Sequence, residues 1–383
     1  MRFQFAYLKL NSLVCFVLLL AFISPSLTRA EAGIDKETAP EVLTLEKAIE
    51  YAINADTQVK ISQLTAENSS YSYQLAKWSA KKISDDSIDS FEAAMGKDAV
   101  KSYPEMVMEF SYLQQKQDEN AVAQKTTNLY NNLIQAEAEL ELVKQRQRRL
   151  EFISGIANRL NKTTDLSELK ARQDILIDSY QKAVEKVESE QTLLNELLKV
   201  DFSKKWILTS EKHEKESNFL TEEQAIEVNM ASDPEILRYE IRLEYELKRQ
   251  KIIDDYSRLY TFVGRIKQNE IKILLISLDE AKKQARETIS QGYKKWKELY
   301  LTLEDFQNKT KAAAENFQQK LDRYSTLRES ITEVFRAEEE LSTQETGLQK
   351  ALNDERAGRS TIIVKQANKQ ASKPETKKDK VKD

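Results

Sequence analysis

Leu43-Thr-Leu-Glu-Lys-Ala48-Ile49-Glu50 returns as Leu220-Thr-Glu-Glu-Gln-Ala225-Ile226-Glu227, an offset of 177 residues (220 against 43). The same offset lays Asp56 on Asp233 and Val59 on Ile236. In each copy a threonine, Thr44 or Thr221, can accept a hydrogen bond from an orphan N–H, and acidic residues fill the first turn that follows. Further on, Asn158-Arg159-Leu160 through Asp165-Leu-Ser-Glu168-Leu169 is echoed by Arg323-Tyr324 through Ser330-Ile-Thr-Glu333-Val334, with a one-residue gap. The first pair of motifs lies 120 residues apart (48 to 168) and the second 108 (225 to 333). The chain therefore reads as two copies of a long antiparallel helical unit.

The sequence between the motifs supports helices. No proline lies between Pro104 and Pro234, or between Pro234 and Pro374. Apolar residues recur at three- and four-residue steps: Leu129, Leu133, Ala136, Leu140 and Val143, continuing past Gln147 to Leu150 and past Ser154 to Ala157. A second seam runs from Leu169 through Leu176, Ala183 and Leu194 to Leu197, and a third from Ile271 through Leu278, Ala285 and Trp296 to Phe306. Such heptads keep a narrow apolar stripe against a partner helix. A helix over 105–161 would be roughly 85 Å long. Residues 81–104 are the longest candidate loop, 161–168 a helix-to-helix turn with Thr164 or Asp165 as N-cap, and 325–330 a weaker turn.

Composition agrees. The 383 residues include only 7 Gly and 5 Pro, while 32% are charged. An average chain holds about 7% Gly and 5% Pro, and turn-rich folds need both. A β-sandwich, a doubly wound α/β domain and a Gly-rich nucleotide site are disfavoured. The expected class is all-α: long antiparallel hairpins in two tandem repeats, 40–200 and 220–356, with a connector at 201–219.

Residues 1–32 read as a secretory signal. Arg2 and Lys9 precede an apolar core from Leu13 to Ile23, and Ala30-Glu31-Ala32 supplies the small residues of a cleavage site. That core is too short for a bilayer span, which takes roughly 20 residues. Cleavage would remove Cys15, the one cysteine, leaving no disulfide or thiol chemistry. It would also leave 56 cations against 62 anions (59 − 3 and 63 − 1). The Lys-rich tail 357–383 holds eight cations and three anions, so the body 33–356 carries −11 (48 against 59). The tail reads as disordered, with a solubilising end as its plain reading and weak adhesion to anionic lipid or cell-wall polymer as its functional one.

With these motifs in order, the sequence resembles the TolC family of outer-membrane efflux factors over roughly residues 40–355. Each family half opens with a Leu-Thr-Leu-x-x-Ala-Ile/Leu helix and an Asn-Pro-x-Ile/Leu step, matched by Leu43–Ile49 with Asp56–Val59 and by Leu220–Ile226 with Asp233-Pro-Glu-Ile236. Each later carries an Arg-Tyr-x-x-Gly-x-x-Ser-x-x-Asp/Glu-Val/Leu turn. The second copy keeps Arg323, Tyr324, Ser330, Glu333 and Val334 but has Leu327 in place of Gly; the first keeps Arg159, Glu168 and Leu169 and lacks the Gly. The resemblance implies a homotrimer forming a helical tunnel, docking at its tip to an inner-membrane pump and a periplasmic adaptor. Its tip positions are Arg159, Leu160, Thr164, Asp165, Ser167, Arg323, Tyr324, Leu327 and Ser330. The alternative is that Arg159 and Tyr324 simply staple a helical hairpin.

One departure stands out. The family's repeats each contribute two barrel strands, and a membrane strand takes roughly 9–11 alternating residues. Here the only candidates are Met106–Tyr112, interrupted by Glu109, and Leu259–Val263. The barrel is expected to be reduced or absent.

The expected function is a non-enzymatic, exported efflux or export component, a helical conduit or docking body. The alternative is a structural coiled-coil scaffold of the envelope that transports nothing. Catalysis is disfavoured: Asp85-Asp86 and Asp254-Asp255 lack a basic, metal-binding or Gly-rich companion, and His213 is the only imidazole. No cofactor, metal site or nucleic-acid partner is expected of an acidic body without phosphate-binding motifs.

Overall fold

The computed structural model describes residues 41–83, 90–209 and 220–363. The expected signal peptide, most of the Lys-rich tail, Asp85-Asp86 and His213 lie outside them. Among the described residues the order is β1 (Glu41–Leu43), α1 (Leu45–Ala55), α2 (Thr57–Lys81), α3 (Phe91–Arg159), α4 (Thr163–Leu198), β2 (Trp206–Leu208), α5 (Glu222–Met230), α6 (Pro234–Asp255), α7 (Phe262–Ser325) and α8 (Ile331–Ile363).

The repeated motifs form equivalent helix starts. Thr44 Oγ1 accepts from Lys47 N–H at 3.3 Å, and Thr221 Oγ1 from Gln224 N–H at 3.3 Å, where the Gln224 side chain returns a bond to complete a capping box. Asp56 caps α2 through Val59 N–H at 2.9 Å, and Asp233 caps α6 through Glu235 N–H at 2.9 Å, with Pro234 preset for the first helical turn.

α2 with α3 and α3 with α4 form one pair of antiparallel hairpins; α6 with α7 and α7 with α8 form the other. The seams read from the sequence are largely buried: Leu133, Ala136, Leu150 and Ala157 on α3, Leu169, Leu176 and Leu194 on α4, and Ile271, Leu274, Leu278, Ala281, Trp296 and Leu303 on α7. α3 also packs on α6 and α8, which joins the two repeats.

Several boundaries differ from the sequence reading. α3 starts at Phe91, where Ser90 accepts from Ala93 N–H at 3.2 Å, and runs through Pro104. The 81–104 loop is thus far shorter than expected. Proline inside a helix forfeits a backbone hydrogen bond, but Tyr103 packs edge-on against Tyr245 of α6 (6.5 Å between ring centroids), and packing against neighbouring helices outweighs the local penalty. α4 starts at Thr163 after Lys162, with no side-chain cap, so neither Thr164 nor Asp165 is the N-cap. α8 continues past 356 to Ile363.

Of the strand candidates, Met106–Tyr112 lies inside α3, and Leu259–Val263 forms the turn entering α7. The sheet among the described residues is the parallel pair β1–β2, in register Glu41 with Trp206 and Leu43 with Leu208. β2 falls in the expected connector. Tyr130 of α3 locks the pair: its hydroxyl donates to Leu43 O at 2.8 Å and accepts from Thr209 N–H at 3.0 Å. No described helix is long and apolar enough to cross a membrane.

Candidate docking tip

Both interhelical turns of the resemblance lie at one end of the bundle, over a shared core. Leu150, Ile153, Ile156 and Ala157 of α3 meet Leu169 of α4, Leu321 and Tyr324 of α7, and Ile331, Val334 and Phe335 of α8. Burying an aliphatic or aromatic side chain is worth about 1.5–3 kcal/mol, so the four helix ends are held as one body.

The turns themselves are built alike. After α3, Asn161 adopts φ 53° and Lys162 N–H reaches back to Ala157 O at 3.1 Å. After α7, Leu327 adopts φ 60° and Arg328 N–H reaches Arg323 O at 2.8 Å. Each is a Schellman closure, which satisfies the last helical carbonyls by turning one residue left-handed. Asparagine tolerates that conformation; leucine is strained in it by about 1 kcal/mol. Ser330 then caps α8 by accepting from Glu333 N–H at 3.3 Å.

The nine positions separate by exposure. Tyr324 is buried, and its hydroxyl donates to Asp165 Oδ2 at 2.7 Å across the repeats. Burial first, and then the hydrogen bond to the carboxylate, push the Tyr324 phenol well above its usual range. Leu160 and half-buried Asp165 lie with it. Arg159, Thr164, Ser167, Arg323, Leu327 and Ser330 are exposed. The Arg159 guanidinium contacts Gly155 O of its own helix at 3.4 Å, whereas the cross-repeat staple is made by Tyr324.

A second cross-repeat tie was not singled out from the sequence. Glu338 of α8, 1% exposed, accepts from Arg146 Nε at 3.2 Å and from Arg149 Nη2 at 3.2 Å; Arg149 also pairs with Glu345 at 2.9 Å. Burial outweighs Arg149 and holds the Glu345 carboxyl above its usual range. Four charged residues in a chain so rich in charge carry no pattern that marks them. The nearest signal was that Arg146 and Arg149 flank a seam. Beside them, Arg172 of α4 stacks 4.2 Å from the Phe335 ring and pairs with Glu339. Among the described residues no group of three or more His, Cys, Asp or Glu is placed to hold a metal ion.

No protein-family model matches the chain, and neither does any curated protein. Its fold is similar to solved outer-membrane channels. The outer-membrane channel OprN superposes with a TM-score of 0.62 at 10% identity, over 84% of this chain and 89% of that one. CmeC of Campylobacter jejuni gives 0.56 at 12% identity over 89% and 94%. VceC of Vibrio cholerae gives 0.56 at 12% identity over 84% and 95%. At such identities the likeness establishes architecture: the chain has the TolC-like helical fold, with a single two-stranded sheet and no closed barrel among its described residues.

Proposed function

We propose that this is an exported, non-enzymatic component of a cell-envelope transport apparatus, serving as a helical conduit or docking body. The observation that carries the reading is the TolC-like duplicated fold whose two interhelical turns are tied into one tip by Tyr324 and Asp165. The partners are an inner-membrane pump and a periplasmic adaptor, with the chain itself a homotrimer. The working surface is Arg159, Thr164, Ser167, Arg323, Leu327 and Ser330; Leu160, Asp165 and Tyr324 set its shape from beneath. The repeats 40–200 and 220–356, joined by 201–219, act as the two structural units of each protomer.

Self-association has a physical basis. On α2, Ile61, Leu64, Tyr71, Leu75 and Trp78 are all exposed and share one heptad face. Such a stripe is left uncovered in one protomer and is suited to a neighbouring helix. That the described residues hold a single two-stranded sheet and no closed barrel favours a second reading, a coiled-coil scaffold that transports nothing.

Tyr324→Ala would hollow the core, so the tip is better tested with Arg159→Glu and Arg323→Glu together, both exposed. In cells of the source organism, cross-linking of the wild-type chain should capture a pump or adaptor, and the double variant should lose that capture with helicity intact. Undiminished capture would remove the tip from the account.

A further inference from the structure

In the half of the bundle away from the tip, α2, α3, α6 and α7 pack in that order, each against the next, so α2 and α7 are the outer pair. Both carry an apolar stripe on the side that faces away from the bundle. On α2, Ser69 Oγ meets Ser111 Oγ of α3 at 2.8 Å and the Tyr73 hydroxyl donates to Glu105 at 3.3 Å, with Ser62 and Ala66 buried on the same face. Ile61, Leu64, Tyr71, Leu75 and Trp78 lie on the other side of that helix, each between 52% and 64% exposed. α7 is built the same way. Leu278 and Ala281 pack on Ile236 of α6, and Lys267 pairs with Glu246 of α6 at 2.5 Å. Phe262, Ile266, Ile273 and Ile276 point the opposite way and are 58% to 85% exposed. Both stripes advance by three and four residues, and each is broken by one asparagine, Asn68 or Asn269. That is the spacing of a seam covered by a partner helix.

The two stripes stand at one height. Tyr73 of α2 reaches Glu105 of α3, Lys248 of α6 reaches the same carboxylate at 3.5 Å, and Glu246, two residues earlier, pairs with Lys267 of α7. Tyr71, Leu75 and Trp78 are therefore level with the stretch 266–276 on the opposite flank. Rotation about an axis running along the bundle leaves heights unchanged, so it lays the α2 stripe of one copy on the α7 stripe of the next. α2 and α6 run toward this end and α3 and α7 away from it, so the new contact is antiparallel, like those within the protomer. This geometry selects the occupant. An α2–α2 contact between two copies would cover one stripe and leave the other in water. One head-to-tail contact, repeated, covers both and closes a ring.

We infer that copies of this chain join through a heterologous α2–α7 seam, in which Tyr71, Leu75 and Trp78 of one copy pack on Phe262, Ile266, Ile273 and Ile276 of the next. The seam deepens the homotrimer reading and rests on it.

The test is site-directed cross-linking of the chain 33–383, which holds no cysteine of its own. Tyr71→Cys with Ile273→Cys, treated with a short bismaleimide, should give covalent dimers and trimers and nothing larger, while neither single variant gives any. Trp78→Cys with Ile266→Cys, in the same seam, should do likewise, so that one unfavourable thiol geometry does not decide the result. The absolute mass of the untreated sample separates two failures. A trimer that neither pair cross-links overturns the seam and leaves the homotrimer; a monomer overturns both. A covalent dimer from Tyr71→Cys alone assigns the stripe to an α2–α2 contact and also overturns the inference. Leu75→Glu with Ile276→Glu places carboxylates in an apolar seam, where burial penalises charge. Both side chains face solvent in the single chain, so helicity should be unchanged while the particle mass falls to that of one chain. An unchanged mass would overturn the seam.

Discussion

Tyr324 of the second repeat donates its hydroxyl hydrogen to Asp165 of the first at 2.7 Å, across 159 residues of sequence. The ring is in the shared core, while the carboxylate is only half buried. A hydrogen bond to a charged acceptor contributes about 1.5–3 kcal/mol, and water at Asp165 places this one at the lower end. Tyr324→Phe should therefore destabilise the chain by about 1.5 kcal/mol in urea unfolding while preserving helicity. Unchanged stability would show that the bond only decorates a packed core.

The same residue sets an alkaline limit. Its folded phenol is raised above the reference value of 10.0, mainly by burial. A raised value favours the protonated folded form, so the contribution is complete below about pH 10 and is lost as pH climbs through the folded value. The stability difference between wild type and Tyr324→Phe, measured in urea across alkaline pH, should be constant up to about pH 10 and then shrink. A difference that widens there would reverse the assignment.

Leu327 holds a left-handed conformation at the tip, 62% exposed. Glycine would relieve about 1 kcal/mol of strain at little cost in packing. Leu327→Gly should raise stability by about that amount, read from the midpoint of thermal unfolding. If Leu327 instead serves as an apolar contact for the partner, the same variant will lose capture in cross-linking while gaining stability.

Glu338 is buried between Arg146 and Arg149. Removing one member of a buried ion pair leaves charge uncompensated, at a cost of about 3 kcal/mol. Glu338→Gln should show that loss in chemical denaturation. Replacing Glu338 and Arg149 together by Leu should cost less than the sum of the single replacements, because neighbours in one network are not additive. Strict additivity would count against a working network.

Much of the helical framework was legible because it is periodic. The seams through Leu133, Leu169 and Leu278 are buried, and the duplicated caps at Thr44, Thr221, Asp56 and Asp233 form as hydrogen-bonded helix starts. The turns were harder. Among the described residues the chain turns left-handed at Asn161, Lys199, Ser257 and Leu327, and never at glycine. Each follows a helix end, so the usual marker of a C-terminus was missing, and Pro104 pointed to a loop where packing maintains a helix. At the tip, the resemblance located the positions but could not tell Tyr324, which faces the core, from Arg323, which faces solvent. That distinction depends on which side of α7 meets α8, and adjacent residues in one helix differ there by about 100°.

The proposed assembly is a conduit built from TolC-like bodies that have no closed barrel among their described residues. Its most direct test is the absolute mass of residues 33–383 in detergent-free buffer, by light scattering behind a sizing column. A soluble trimer is the expected result. A monomer or dimer would contradict the conduit and leave the scaffold reading; insolubility without detergent would contradict a conduit that assembles outside the membrane.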